Sequence, residues 1–138
     1  PRWSRASGSN LIPSPHDSMG LINKFFPDLE GRLIGRTVRA PVDHTSYVTC
    51  SFEVGNRIDE HAVIDCLAST RIASTVLGVD HEPLVSSDYV TDPRSCVIDG
   101  TSIRVVDGST ILLSAWYNNE YGFASRMINI AEKVSKII

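Results

Sequence analysis

The 138-residue sequence predicts an α+β fold, a mostly antiparallel sheet with helices packed on one face. Two observations predict it. Extended, β-branched segments come in runs joined by short turns, as across residues 95–117. Helical periodicity enters only at intervals, so strand and helix do not alternate as a doubly wound parallel sheet requires. A chain of this length buries roughly 68–70% of its unfolded surface. With 42% hydrophobic residues, it fits one globular domain with a sizeable core.

The elements follow in order. Residues 1–17 read as loop, with the clusters Ser7-Gly8-Ser9-Asn10 and Pro13-Ser14-Pro15. A short helix opens at residue 17 or 18, where Ser18 supplies a cap, and reaches residue 26. Met19, Ile22 and Phe26 share one face and Pro27 stops it. Asp28-Leu29-Glu30-Gly31 is a turn, residues 35–42 alternate weakly, and residues 47–54 form a strand. Residues 59–74 predict a helix, opened by Asp59-Glu60 at its positive end and carrying Val63, Cys66, Leu67 and Thr70 at helical spacing. Short extended pieces follow at 84–85, 95–99 and 103–106, the last two parted by a turn at Gly100. Asp107-Gly108 is a hairpin signal leading into a strand over 110–117. The last helix carries Phe123, Met127, Ile130, Val134 and Ile137 at spacings of 4, 3, 4 and 3.

Composition excludes several classes of function. Net charge is −3, from 13 basic and 16 acidic residues without a long run of either sign, which gives no footprint for nucleic acid or an acidic membrane face. No apolar run reaches the length of about 18 residues expected of a membrane span. Cys50, Cys66 and Cys96 stand at wide spacing that matches neither a disulfide framework nor a zinc motif. A reducing, cytoplasmic setting is the expectation. The amino end lacks the basic-then-apolar plan of a signal peptide, and it lacks an initiator methionine, so a missing upstream segment is expected.

Spacing alone offers little chemistry. No G-x-G-x-x-G follows a strand, and Walker loop, G-x-S-x-G elbow and metal-ligand spacing are all missing from the sequence. His16, His44, His61 and His81 are scattered, and His61 is expected to be solvated. The cysteines are expected to be buried, inert thiols, because no basic partner or helix start stands beside them. The junction Asn118-Asn119 is different. One asparagine suffices to cap the last helix. The second stays polar where an apolar strand ends and a helix begins, a common ligand position in folds of this kind.

Residues 116–123, WYNNEYGF, resemble the W-Y-D-N-E-x-G-Y signature of glyceraldehyde-3-phosphate dehydrogenases. Arg5-Ala6 followed by Asn10-Leu11-Ile12-Pro13 resembles the family's R-A-x-x-x-N-I-I-P. Residues 26–33, FPDLEGRL, resemble L-P-E-L-x-G-K-L; Val38-Arg39-Ala40-Pro41 resembles R-V-P; Val85-Ser86-Ser87-Asp88 resembles V-S-S-D. These segments keep the family's order over essentially the whole chain. Lys24-Phe25-Phe26-Pro27, Asp92-Pro93-Arg94-Ser95, Asp99-Gly100-Thr101 and residues 120–127 look closest to the erythrose-4-phosphate dehydrogenase branch.

The resemblance implies the later, carboxyl-terminal part of a catalytic domain. Full-length members use NAD, act on a phosphorylated sugar aldehyde through a cysteine thioester and form tetramers. The S-C-T-T-N nucleophile loop, the catalytic histidine and the NAD-binding domain would lie upstream, so this chain alone is expected to be inactive. Arg39 matches the arginine that holds the substrate phosphate, where a guanidinium makes paired hydrogen bonds that lysine cannot. Asn119 matches the asparagine bonded to the nicotinamide carboxamide, and Phe123 the aromatic that packs near that ring. Phe123 also begins the apolar stripe of the last helix, which makes it a candidate core residue. Ser14-Pro15-His16-Asp17 replaces the family's T-x-T-G, and Trp3 replaces an arginine, so Trp3, His16 and Asp17 mark a degraded inorganic-phosphate site. That implies resolution of the thioester by water. The alternative is a non-catalytic binding or assembly module built on the same domain.

Overall fold

The computed structural model describes residues 5, 8–15, 19–69 and 75–137. The chain divides into two units, Pro1–Asp43 and His44–Ile138.

In the first unit, β1 (Ile12–Pro15) pairs antiparallel with β2 (Arg36–Arg39), with Ile12 opposite Arg39 and Pro15 opposite Arg36. The expected loop at Pro13-Ser14-Pro15 is therefore a strand. Proline fixes φ near the extended region, and its missing N–H is harmless where a two-stranded ribbon leaves that edge unpaired. Ile12 is the buried anchor. Helix α1 spans Met19–Phe25 and stops before a 3-10 turn at Pro27–Leu29. Ile22 is half-buried, but Phe26 is exposed and contributes nothing to the face the sequence suggested.

The second unit holds β3 (Ser46–Glu53), α2 (Glu60–Ser69), β4 (Leu77–Asp80), β5 (Cys96–Val106), β6 (Thr110–Tyr117) and α3 (Tyr121–Ser135). The sheet order is β3-β6-β5-β4. β6 pairs antiparallel with both β3 and β5, while β4 pairs parallel with β5. The fold is α+β as expected, and its sheet is mixed. A parallel neighbour needs a crossover of about a dozen residues or more rather than a hairpin. Residues 81–95 supply it, with a 3-10 helix at Ser86–Tyr89. The extended piece expected at 84–85 is instead the entry to that turn, where the Asp88 carboxylate accepts the Val85 N–H at 2.8 Å.

β5 is a single strand where two were expected. Its register shifts between Asp99 and Arg104, so the Gly100 irregularity is absorbed as a bulge. A Cβ on Gly100 would lie 2.8 Å from the Asp80 carbonyl oxygen, which explains a glycine there. The Asp107-Gly108 hairpin forms as predicted, with φ of 52° and 69°.

One core joins α2 to the sheet. Val63, Ile98, Ile103 and Ala115 are buried, and Val48, Ile64, Leu67, Leu77, Val79 and Leu113 pack against them. The inward stripe of α2 is Val63-Ile64-Leu67, and Cys66 points outward, so the expected burial of that thiol is wrong. Residues 70–74 of the expected helix, including Thr70, lie outside the described residues. The stripe on α3 has the predicted period but not the expected burial: Phe123 is 65% exposed, and Met127, Ile130, Val134 and Ile137 are exposed too. α3 is held at its start instead. Gly122 is buried against the Arg94 carbonyl, and Arg126 Nη1 donates to the Thr75 carbonyl at 3.1 Å and the Ser95 hydroxyl at 3.3 Å.

Candidate functional site

The β6–α3 junction is built from its aromatic end outward. Trp116 lies between two tyrosines: Tyr47 on β3 at 4.4 Å between ring centroids, and Tyr89 at 5.5 Å in a stacked pair. These contacts fix the last turn of the strand before the chain changes direction. Tyr89 is itself anchored, since its hydroxyl donates to Asp80 Oδ2 at 3.2 Å. Burial first, then the negative charge of Asp80 and that hydrogen bond, push the Tyr89 hydroxyl up to about 12.

Asn118 comes next and is only 5% exposed. Its Oδ1 accepts the backbone N–H of Glu120 at 2.8 Å and of Tyr121 at 2.9 Å. It does the capping expected of the junction from two residues ahead of Glu120, which holds the N-cap position of α3 without a side-chain bond of its own. It satisfies the N–H of Tyr121, a donor that the first turn leaves free. Its Nδ2 also donates to the Val90 carbonyl at 2.9 Å, a tie across 28 residues that the sequence did not suggest. The one signal available was the letter itself: the resembled signature has aspartate where this chain has an amide with a donor.

Asn119, immediately after it, is exposed. A shallow groove of about 400 Å³ opens beside the junction, lined in part by His44, Val90, Thr91, Asn118, Glu120 and Tyr121. His44 Nδ1 stands 3.9 Å from Glu120 Oε2, with both side chains largely in solvent. A surface pair of this kind contributes little to stability.

The segment that carries Val90 is fastened below the groove. Arg94 bonds Asp92 through Nε at 2.9 Å and Nη2 at 2.5 Å, and reaches Asp80 at 3.5 Å. Hydrogen bonds from Arg94 hold the Asp92 carboxyl below its ordinary range, and the same bonds hold the Arg94 guanidinium up. A Cβ on Gly78 would collide with this guanidinium, so the glycine makes room for it.

The remaining candidates belong to other elements. Arg39 is exposed on β2 in the first unit. Phe123 projects from the first turn of α3 rather than into the core, as noted above. Trp3, His16 and Asp17 lie outside the described residues. Cys50 and Cys96 are half-buried, and burial pushes both thiols up, which disfavours the thiolate. His61 is exposed. Among the described residues there is no group of three or more His, Cys, Asp or Glu able to hold a metal ion, and no helix long and apolar enough to cross a membrane.

A family model described as glyceraldehyde 3-phosphate dehydrogenase, C-terminal domain, matches residues 1–119. The chain belongs to that family. The glyceraldehyde-3-phosphate dehydrogenase 3 of a Nostoc species is 38% identical over 137 residues, covering 97% of this chain and 41% of the relative. The glyceraldehyde-3-phosphate dehydrogenase of Haloarcula vallismortis is 35% identical over 139 residues, covering 99% and 41%. Glyceraldehyde-3-phosphate dehydrogenase 2 of Staphylococcus aureus is 28% identical over 137 residues, covering 99% and 40%. The chain thus spans about two fifths of the length of these dehydrogenases. Within a glyceraldehyde-3-phosphate dehydrogenase C-terminal domain, the β6–α3 junction keeps the signature's tryptophan, tyrosine, asparagine, glutamate and glycine as Trp116, Tyr117, Asn119, Glu120 and Gly122.

Proposed function

We propose that this chain is the carboxyl-terminal catalytic-domain part of an NAD-dependent dehydrogenase of sugar-phosphate aldehydes, with Asn119 as its contact to the nicotinamide carboxamide. The observation that carries the proposal is the division of labour between two adjacent asparagines. Asn118 is consumed by the fold, while Asn119 is presented to solvent at the end of a fixed strand. A primary amide offers one acceptor and a donor pair, which is the complement of a carboxamide. Arg39 serves the substrate phosphate by two parallel hydrogen bonds, and Phe123 offers an exposed ring for packing against the cofactor.

In the whole protein, a cysteine thiolate from the S-C-T-T-N motif adds to the aldehyde, the adduct gives hydride to NAD, and the thioester is then resolved. The cofactor supplies the redox step and the protein supplies placement. None of this chain's cysteines stands in that motif, so the chain by itself turns nothing over. In sequence, Trp3, His16 and Asp17 take the positions of residues that the resembled family uses for inorganic phosphate, and a carboxylate in that role repels the anion. The reading therefore extends to hydrolysis of the thioester to a free acid, with erythrose 4-phosphate favoured over glyceraldehyde 3-phosphate.

One experiment addresses these layers together: NADH formation by the full-length protein with each aldehyde, with and without inorganic phosphate, for wild type and Asn119→Ala. Turnover that does not need phosphate, and that falls about tenfold or more in the variant, is expected. Strong phosphate dependence refutes the hydrolytic reading. Unchanged kinetics in Asn119→Ala refutes the nicotinamide contact. The assembly-module alternative has its own support in the exposed apolar stripe of α3, and a full-length wild type without dehydrogenase activity would favour it.

A further inference from the structure

We propose that the Glu120 carboxylate tunes the cofactor site by its charge, favouring the oxidised nicotinamide, whose ring is positive, over the neutral reduced one. The inference rests on the proposed role of Asn119. Glu120 is the next residue in the chain, with its α-carbon about 3.8 Å from that of Asn119. Its backbone is taken up by the fold: the N–H donates to Asn118 Oδ1 at 2.8 Å, and the carbonyl accepts the Ala124 N–H at 2.9 Å. Its side chain is left over. It stands at the N-cap position of α3 without a capping bond of its own, and 79% of it is exposed on the groove beside the junction. His44 Nδ1, at 3.9 Å from Oε2, is its ion-pair partner.

A carboxylate at this end of a helix has a simpler account, attraction to the positive end of the α3 dipole. The two accounts differ in what they move. A dipole role changes the stability of the junction, and so the affinity for both cofactor forms alike. A field role changes the ratio of the two affinities. Oxidised and reduced NAD share their adenosine, riboses and pyrophosphate, and differ by one hydride at the ring and hence by one unit of ring charge. Protein charge near the ring is one of the ways a binding site tunes such a cofactor. What favours the field role is that the Asn118 side chain does the capping, which leaves a free carboxylate one residue from the amide proposed to hold the ring.

The titratable side chains lining the groove are His44, Glu120 and the Tyr121 phenol. At pH 8 an ordinary imidazole is neutral and an ordinary phenol is protonated, so Glu120 supplies the charge. Two unit charges roughly 8 Å apart in a largely aqueous setting shift an equilibrium about threefold, and the shift fades as salt shortens the Debye length.

The measurement is the affinity of the full-length protein for NAD and for NADH at pH 8, by calorimetry or fluorescence, in about 0.05 M and about 0.5 M salt. Wild type is compared with Glu120→Gln, Glu120→Asp, Glu120→Lys and Asn119→Ala. Glu120→Gln is expected to move the ratio about threefold toward NADH, with the gap to wild type narrowing in high salt. Glu120→Asp is expected to keep the wild-type ratio. Glu120→Lys should move the ratio further in the same direction as Glu120→Gln, and it carries the test should Glu120→Gln not fold. An unmoved ratio in Glu120→Gln, an equal shift in Glu120→Asp, or a gap indifferent to salt overturns the proposal. Wild type that binds neither form, or Asn119→Ala that binds both normally, overturns the nicotinamide contact and the role of Glu120 with it. A weakened Asn119→Ala beside an unmoved Glu120→Gln overturns the role of Glu120 alone.

Discussion

Asp92 and Arg94 are two residues apart in sequence, yet they make a bidentate pair that supports the loop beneath the groove. Both side chains are largely shielded, so the pair is not the freely screened kind found on open surfaces. The sign of its pH dependence follows from the carboxyl. Asp92 is held below its ordinary pKa, chiefly by the hydrogen bonds from Arg94. A depressed carboxyl contributes stability above its unfolded-state pKa, and loses it as pH falls through the folded value. Asn in its place keeps the shape and surrenders the charge. Asp92→Asn is expected to cost about 1–3 kcal/mol at pH 7, because Arg94 loses the nearer of its two charged partners and keeps only the longer contact to Asp80. Urea unfolding should show the gap to wild type narrowing as the pH is taken below the ordinary carboxylate range. A gap that stays constant from neutral to acid would mean the pair does not carry the effect.

Elements in this chain are positioned as much by glycines as by apolar stripes, and two helical glycines make opposite predictions. Gly20 in α1 has open space where a Cβ would go. Gly20→Ala should stabilise by up to about 1 kcal/mol through helix propensity. Gly122 in α3 has the same propensity argument, but its Cβ would sit 2.8 Å from the Arg94 backbone oxygen, which cannot swing away like a side chain. Overpacking of this kind costs about 1–3 kcal/mol and outweighs the gain. Thermal unfolding of the two variants should move in opposite directions, and a stabilised Gly122→Ala would show that α3 is not docked on the Arg94 segment. Such contacts explain which parts of the fold were legible. The Asp107-Gly108 hairpin and the Asn118 cap are local chemistry, so neighbouring letters declare them. β4 is not local: Leu77–Asp80 is four residues long and acquires its meaning from a parallel register with Cys96–Asp99, nineteen residues further on. Nor is β1, whose prolines read as loop until β2 pairs with them. At the site, the apolar run and paired asparagines marked the junction, whereas the Val90 tie needed the crossover to be in place.

At the scale of the whole molecule, the second unit has more apolar surface than its own core uses. Phe123, Met127, Ile130 and Val134 recur at helical spacing on α3 and all are exposed, while β3 is an edge strand with Tyr47 and Phe52 partly open to solvent. An amphipathic helix gains most of its stability from packing that stripe, and an uncovered stripe and strand edge invite association. Relatives that share this domain are about two and a half times its length, since the chain spans 41% of two of them and 40% of the third. The 138-residue chain on its own is therefore expected to self-associate reversibly with rising concentration. Sedimentation velocity should show species larger than 15.1 kDa that dissociate on dilution. The double substitution Met127→Glu and Ile130→Lys should shift that equilibrium toward monomer about tenfold, because each removes a large apolar side chain from the contact. Glu60 and the α2 core lie elsewhere in the unit, so far-ultraviolet dichroism should be unchanged by the pair. Equal association by wild type and variant would assign the contact to the β3 edge instead, and a strictly monomeric wild type would show that the stripe is not adhesive.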